Sequence, residues 1–244
     1  MHKYRKTLYE NYYSTHSGKT DVAIQQSHFD QQVRYFKWEF GNHLPTNKSI
    51  AILDIGCGFG SLIKALNELG YNQTTGIDLS PEQVKMAEHF GVKNIQQADA
   101  HDFLQNENAK FDVIFAVDLI EHLSKDELVD FLQRLKSGLK PGGKIILRTP
   151  NMDAPLAGVF AFADFTHEVF LNKASAMQLL HSVGFTKVAV SEGIMYNESP
   201  IKEFVRKIGW FCTRTWLKAM LFFSARTWDE VVFSPNIVVE GESL

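Results

Sequence analysis

The stretch Ile50-Ala51-Ile52-Leu53-Asp54-Ile55-Gly56-Cys57-Gly58-Phe59-Gly60 decides the fold. Its first half is an apolar run, the pattern of a strand buried on both faces of a parallel sheet. Its second half puts glycine at every second position, where the chain can turn sharply and a ligand can lie against the main chain. Residues 61–69 then follow helical periodicity, with Ser61 expected as the N-terminal cap and Gly70 as the stop. Strand, glycine turn and helix open a doubly wound α/β fold. The spacing G-x-G-x-G differs from the G-x-G-x-x-G that seats a pyrophosphate on a helix N-terminus. Asp54, two residues before the first glycine, would repel a pyrophosphate and suits a ligand with an ammonium group. No lysine stands in the P-loop position, which disfavours ATP.

Working outward, further strands end in acids. Thr74-Thr75-Gly76-Ile77-Asp78 reads as a second strand, and Asp78 stands 18 residues past Gly60, near the spacing of a carboxylate that binds ribose hydroxyls. Pro81 and Glu82 open the next helix, 81–90. A third strand runs from Asn94 to Asp99, and a fourth, Phe111 to Val117, leads into Asp118-Leu119-Ile120-Glu121-His122-Leu123. Ser124 with Glu127 is a capping box for a helix over 124–138. Leu139-Lys140-Pro141-Gly142-Gly143 is expected to turn into a fifth strand, Lys144 to Thr149. A helix over 172–183 and strands at 186–191 and 236–240 complete seven strands, the last by hairpin pairing.

The composition bounds the class. The 244 residues are 45% hydrophobic and 22% charged, the proportions of one sizeable globular domain. A net charge of −3 gives no general attraction to nucleic acid or anionic lipid. Two cysteines, Cys57 and Cys212, are too few for a disulfide framework and fit a reducing, cytoplasmic setting. The first residues, Met1 to Arg5, lack a signal peptide's apolar core. Residues 20–44 read as helical, and Tyr12-Tyr13-Ser14-Thr15-His16 precedes them. The one excursion, 199–227, interleaves aromatic and aliphatic residues with Lys202, Arg206, Lys207, Arg214, Lys218 and Arg226 against a single acid, Glu203. Those charges exclude a membrane span. They leave a helical cap or homodimer contact, or an amphipathic helix lying at a membrane interface.

Asp118, Glu121 and His122 stand at i, i+3 and i+4, so a helix or turn would face all three to one side. His167, in Asp164-Phe165-Thr166-His167-Glu168, follows the fifth strand on the same sheet edge. These residues supply a base or metal ligands for an acceptor that holds its proton tightly.

Asp54 through Gly60 resembles motif I of the class I methyltransferases that use S-adenosylmethionine (SAM), and the Pro-Gly-Gly turn is a further likeness. The resemblance implies a Rossmann-like methyltransferase domain over 49–244, with 1–48 as an N-terminal helical segment acting as a lid or as plain packing. It implies cofactor contacts from Asp54, Gly56, Cys57, Gly58, Gly60, Asp78, Leu79, Asp99, Ala100 and Asp118, with Asp99 on the adenine amino group. Acid-x-x-Glu-His followed by Thr-His also resembles the O-methyltransferases of ubiquinone synthesis and the 2′-O-methyltransferases of small-RNA 3′ ends. That likeness implies a divalent metal (Mg, Mn or Zn) on Asp118, Glu121, His122 and His167, the first being the shorter Asp where the family has Glu. Mn, Fe or Zn suits the mixed ligand set better than Mg. Without a metal, His122 or His167 would be a simple base beside Glu121.

Tyr12 to His16, Ser80 to Val84, Asp118 to Leu128 and Asp164 to Glu168 together resemble bacterial methyltransferases of glycan and lipopolysaccharide assembly. A hydroxyl of a glycan or lipid-linked saccharide is therefore the leading expected acceptor. Ala161-Phe162-Ala163 replaces that group's Arg-Tyr-Gly, which removes a contact for an anionic sugar. The alternatives are a lipid-tailed phenol, favoured if Phe160, Phe162 and Phe165 line an apolar tunnel, RNA, and a non-catalytic SAM-binding module.

Overall fold

A computed structural model describes residues 22–105, 107–227 and 231–244. The expectation for Tyr12 to His16 lies outside these residues. In chain order the elements are α1 (Val22–Phe40), β1 (Ile52–Ile55), α2 (Ser61–Glu68), β2 (Thr74–Asp78), α3 (Pro81–His89), β3 (Ile95–Gln97), α4 (Ala100–Leu104) and β4 (Phe111–Val117). A 3₁₀ turn (Ile120–His122) follows, then α5 (Lys125–Gly138), β5 (Leu139–Pro150), α6 (Ala157–Ala161), α7 (Lys173–Val183), β6 (Thr186–Glu192), α8 (Pro200–Phe223) and β7 (Asn236–Glu242).

The strands form one seven-stranded sheet in the order β3-β2-β1-β4-β5-β7-β6. The first five are parallel, and β7 runs antiparallel between β5 and β6. This is the Rossmann-like methyltransferase architecture. Strand order reverses between β1 and β4, which opens the ligand crevice at their C-terminal ends.

Strand alternation divides the core in two. Leu53, Ile55, Ile114, Ile145 and Leu147 face α5 and α7, while Ile52, Val113, Phe115 and Ile146 face α1 and α2. Covering both faces explains why these strands read as continuous apolar runs rather than alternating ones. Phe29, Val33, Phe36 and Phe40 of α1 are buried in the second layer, so this part of the N-terminal segment is core packing.

The structure differs from expectation at three joints. Gly60, at φ +82°, caps α2 and Ser61 is already helical, its hydroxyl donating to Gln32 Oε1 at 2.9 Å. A Cβ at Gly60 would stand 2.4 Å from Ile95 Cδ1, so this position needs both the left-handed backbone and the missing side chain. The Pro-Gly-Gly segment belongs to β5: Leu139 pairs with Phe111, and a register shift separates that pair from the main ladder. The 199–227 excursion forms a 24-residue helix with no buried residue, which overturns its expected burial as a cap against its own protein.

Candidate active site

The glycine turn begins where β1 ends. Asp54 is buried, and burial first and the neighbouring Asp78 charge second push its carboxyl well above the usual range. Asp78, at the tip of β2, holds the turn from the side: Oδ2 accepts from Gly58 N and Oδ1 from Ser80 N, both at 2.8 Å. Burial also raises its pKa against those two hydrogen bonds. Gly56 and Gly58 adopt φ of 70° and 54°, and a Cβ on Gly58 would meet only Gln83 Oε1, at 3.8 Å. That Gln83 oxygen is itself buried without a hydrogen-bond partner. An acceptor and a carboxylate converging on open main chain fit a ligand that brings its own donors, as the ammonium and ribose of SAM would.

The remaining expected contacts are ordered along the same edge. Cys57 is buried, and its thiol is pushed up by burial and by Asp54, which makes it an inert wall rather than a nucleophile. Leu79 follows Asp78 and is exposed. Asp99 caps α4, with Oδ1 accepting from His101 N and Asp102 N, and Ala100 opens that helix.

Asp118 parts company with the residues it was grouped with. At φ +50° it turns its carboxylate to Arg148, whose Nε donates to Oδ1 at 3.0 Å and whose Nη2 donates to Oδ2. Three ligands, not four, therefore meet: carboxylate and imidazole atoms of Glu121, His122 and His167 lie within 4.8 Å of one another. The fourfold set with Asp118 is corrected to three, because the guanidinium fork already takes the Asp118 carboxylate.

Backbone and side-chain bonds bring the three together. Glu121 O accepts from Glu168 N at 2.7 Å and Val169 N at 3.1 Å, which pins the loop carrying His167 onto the 3₁₀ turn. His167 Nδ1 donates to Ala161 O at 2.7 Å. The Thr166 hydroxyl gives its single proton to Asp164 Oδ1 at 2.6 Å, so it accepts from His122 Nδ1 at 2.8 Å. His167 thus carries its proton on Nδ1 and presents Nε2 as the lone pair, the arrangement used by metal-binding histidines, while the His122 ring is held by both the hydroxyl and the main chain of Thr166. The two rings lie 4.7 Å apart between centroids.

Burial, and then the positive charge of His167 when protonated, lower His122 to about 4, so its imidazole is neutral at pH 7. Glu121 is buried and accepts from Thr149 Oγ1 at 3.1 Å; burial and then the Asp118 charge raise it to about 8. A carboxylate and two imidazoles leave coordination positions open and suit Mn or Zn.

Sequence reading missed Gln83's orphan oxygen and the Arg148 network. Arg148 Nη1 donates to Glu39 Oε2 at 2.8 Å, and its guanidinium lies 5.4 Å from the Tyr35 and Phe36 ring centres. Glu39 Oε1 in turn accepts from Ile194 N at 3.1 Å. The available signal was a lone arginine in a buried strand and a lone glutamate in an aromatic helix face, charges that stay buried only when paired.

Comparison with known proteins bears on the fold that carries this site. A family model described as a methyltransferase domain matches residues 53–147. The chain is similar to the ubiquinone biosynthesis O-methyltransferase of Idiomarina loihiensis, 27% identical over 170 residues that cover 63% of this chain and 68% of that one. It is also similar to the tRNA U34 carboxymethyltransferase of the same organism, 28% identical over 190 residues covering 72% and 56%. Further ubiquinone-pathway relatives are matched over only 43% of their own length. Among solved structures, a SAM-dependent methyltransferase from Archaeoglobus fulgidus superposes with a TM-score of 0.60 over 96% of this chain and 99% of that one, at 18% identity, a likeness of fold. A glycine turn flanked by strand-tip acids lies within the matched methyltransferase domain, and on that ground the chain is a SAM-dependent methyltransferase.

Proposed function

We propose that the chain is an O-methyltransferase whose acceptor hydroxyl is received at Glu121, His122 and His167, and that the acceptor is a phenol with an apolar tail. The observation that carries this reading is the convergence of one carboxylate and two imidazoles beyond the tip of β4, where Leu119 packs against Gly56 of the glycine turn. SAM, when bound, supplies a methyl group on a sulfonium, so alignment with the acceptor contributes much of the rate. A phenol holds its proton with a pKa of about 10 and must lose it to attack. Without a metal, the neutral His122 imidazole can accept that proton; a divalent cation held by the three residues would take up that lone pair and would instead lower the hydroxyl's pKa. Thr166, Asp164 and Ala161 fix the orientation of the two rings through these hydrogen bonds.

The apolar tail is supported by the surroundings. Leu156, Val159, Phe160, Phe162 and Phe165 flank Ala161, whose carbonyl holds His167, and all five are exposed; they leave an open apolar surface and not the tunnel that would have favoured this acceptor. Such a surface fits a lipid tail and offers no charged contact for an anionic sugar. Relatives named for ubiquinone biosynthesis agree with that reading. A hydroxyl of a lipid-linked saccharide is the second reading, since its lipid would use the same surface.

The test is transfer of labelled methyl from SAM to three pools: a prenylated catechol, lipid-linked glycans, and RNA. Labelling of the catechol is expected, with loss in EDTA, recovery on adding Mn or Zn, and a drop of about a hundredfold for His122→Ala. Labelling of RNA alone, or full activity of His122→Ala, would sink the proposal.

A further inference from the structure

Helix α8 is built inside out for a protein surrounded by water. At 3.6 residues per turn, Ile201, Phe204, Val205, Ile208, Phe211 and Phe222 fall within an arc of about 120° along a helix about 36 Å long. This arc faces away from the body: Phe204 is 66% exposed and Phe211 71%. The opposite side carries the polar contacts. Arg206 donates through Nε and Nη2 to Glu203, at 2.7 and 2.6 Å, and Arg214 pairs with Glu192 of β6 at 3.3 Å. A soluble helix of this kind buries its apolar stripe; here the stripe is outermost and the ion pairs are inward.

The edges of the arc are basic. Lys202 borders it on one side, and Lys207 and Lys218 border it on the other. Between Pro200 and Phe223 there are five bases and one acid, in a chain whose net charge is −3. The only acid, Glu203, is neutralised on the inward side by Arg206 and Lys207. Two copies meeting through this face would bring lysine edge against lysine edge, which opposes a dimer. No helix among the described residues is long and apolar enough to cross a membrane. An apolar arc with cationic edges instead matches a helix lying in the headgroup region, its aromatic face among the acyl chains and its lysines at the phosphates.

We infer that α8 is an in-plane membrane anchor that docks the enzyme on an anionic phospholipid surface. The inference stands apart from the acceptor proposal, because vesicles without any acceptor test it. Full-length protein is sedimented with vesicles of phosphatidylcholine alone and with added phosphatidylglycerol. Binding is expected to the anionic vesicles only, and to weaken as salt rises. Phe204→Ser/Phe211→Ser should weaken it by about tenfold or more, and Lys202→Glu/Lys218→Glu should remove the preference for anionic lipid. Both variants should keep wild-type SAM affinity and stay folded, since Phe204 and Phe211 are exposed and none of the four altered side chains belongs to the candidate site. No binding to either vesicle, binding unchanged in both variants, or a dimer in sedimentation velocity that the phenylalanine variant dissociates would overturn the inference.

Discussion

At the scale of single residues, the site is made of groups placed where folding alone would not put them. Asp54 is buried beside Asp78, and both carboxyls are raised by burial. A carboxyl whose folded pKa exceeds its unfolded value costs stability as pH climbs from the ordinary carboxylate range to the raised one, because only the unfolded chain ionises freely there. Asp54→Asn removes that cost while keeping size and shape. Its melting temperature should therefore exceed wild type by a few degrees at pH 7, at about 2–4 °C per kcal/mol for a chain of this size. The advantage should shrink as pH falls toward 4 and vanish below it, where the carboxyl is protonated in the unfolded chain as well. SAM affinity, measured by calorimetry, should fall by about tenfold or more as the charge-assisted contact to the ammonium is lost. A variant that melts lower than wild type, or binds SAM as tightly, contradicts this account of Asp54.

At the scale of elements, legibility followed the range of the interactions. The strands β1 and β4 were readable because burial on both faces leaves an apolar run in the sequence itself. The cap of α5 was equally local: Ser124 Oγ accepts from Glu127 N at 3.4 Å, and Glu127 Oε2 accepts from Ser124 N at 2.9 Å. Replacing Ser124 by Ala should cost about 1 kcal/mol, read as a melting temperature about 2–4 °C lower, with SAM affinity unchanged. A matching loss of SAM affinity would show instead that α5 positions the site. Tertiary pairing was not readable. Leu139 joins β5 only because Phe111 lies opposite it, across 28 positions of sequence. The glycine turn was recognised, but not that Gly60 rather than Ser61 caps α2; that depends on Ile95 and Val92 closing over the position. The Glu39–Arg148 pair joins residues 109 positions apart, and Arg148 diverts Asp118 from the ligands its spacing suggested. Helix α8 was visible as an amphipathic segment, whereas the direction of its apolar face depends on what the rest of the fold leaves uncovered.

At the scale of the whole molecule, these buried groups set how stability varies with pH, and the variation reports on the metal without any acceptor. Glu240 is held below the usual carboxylate range: burial, which would raise it, is outweighed by the His43 contact and the Lys144 charge. It therefore contributes stability that is constant at neutral pH and lost only as pH falls through its lowered pKa. Two groups titrate within the ordinary range. His122, lowered from 6.5 to about 4, makes the unfolded chain bind more protons across that interval, so stability rises with pH up to about 6.5. Glu121, raised from 4.5 to about 8, makes the folded chain bind more protons, so stability falls across its interval. The two oppose one another below pH 6.5, and Glu121 acts unopposed by His122 from there to pH 8. In EDTA the melting temperature should accordingly decline by a few degrees between pH 6.5 and pH 8, and Glu121→Gln should lessen that decline, leaving whatever share Asp54 contributes. A divalent cation requires the carboxylate ionised and the imidazoles neutral, so added Mn should convert the decline into a rise over the same interval. Scanning calorimetry at several pH values, with EDTA and with Mn, gives both slopes from one protein. Identical slopes in the two conditions would mean that Glu121, His122 and His167 bind no such ion, and the reading of His122 as a metal-free base would replace the metal site.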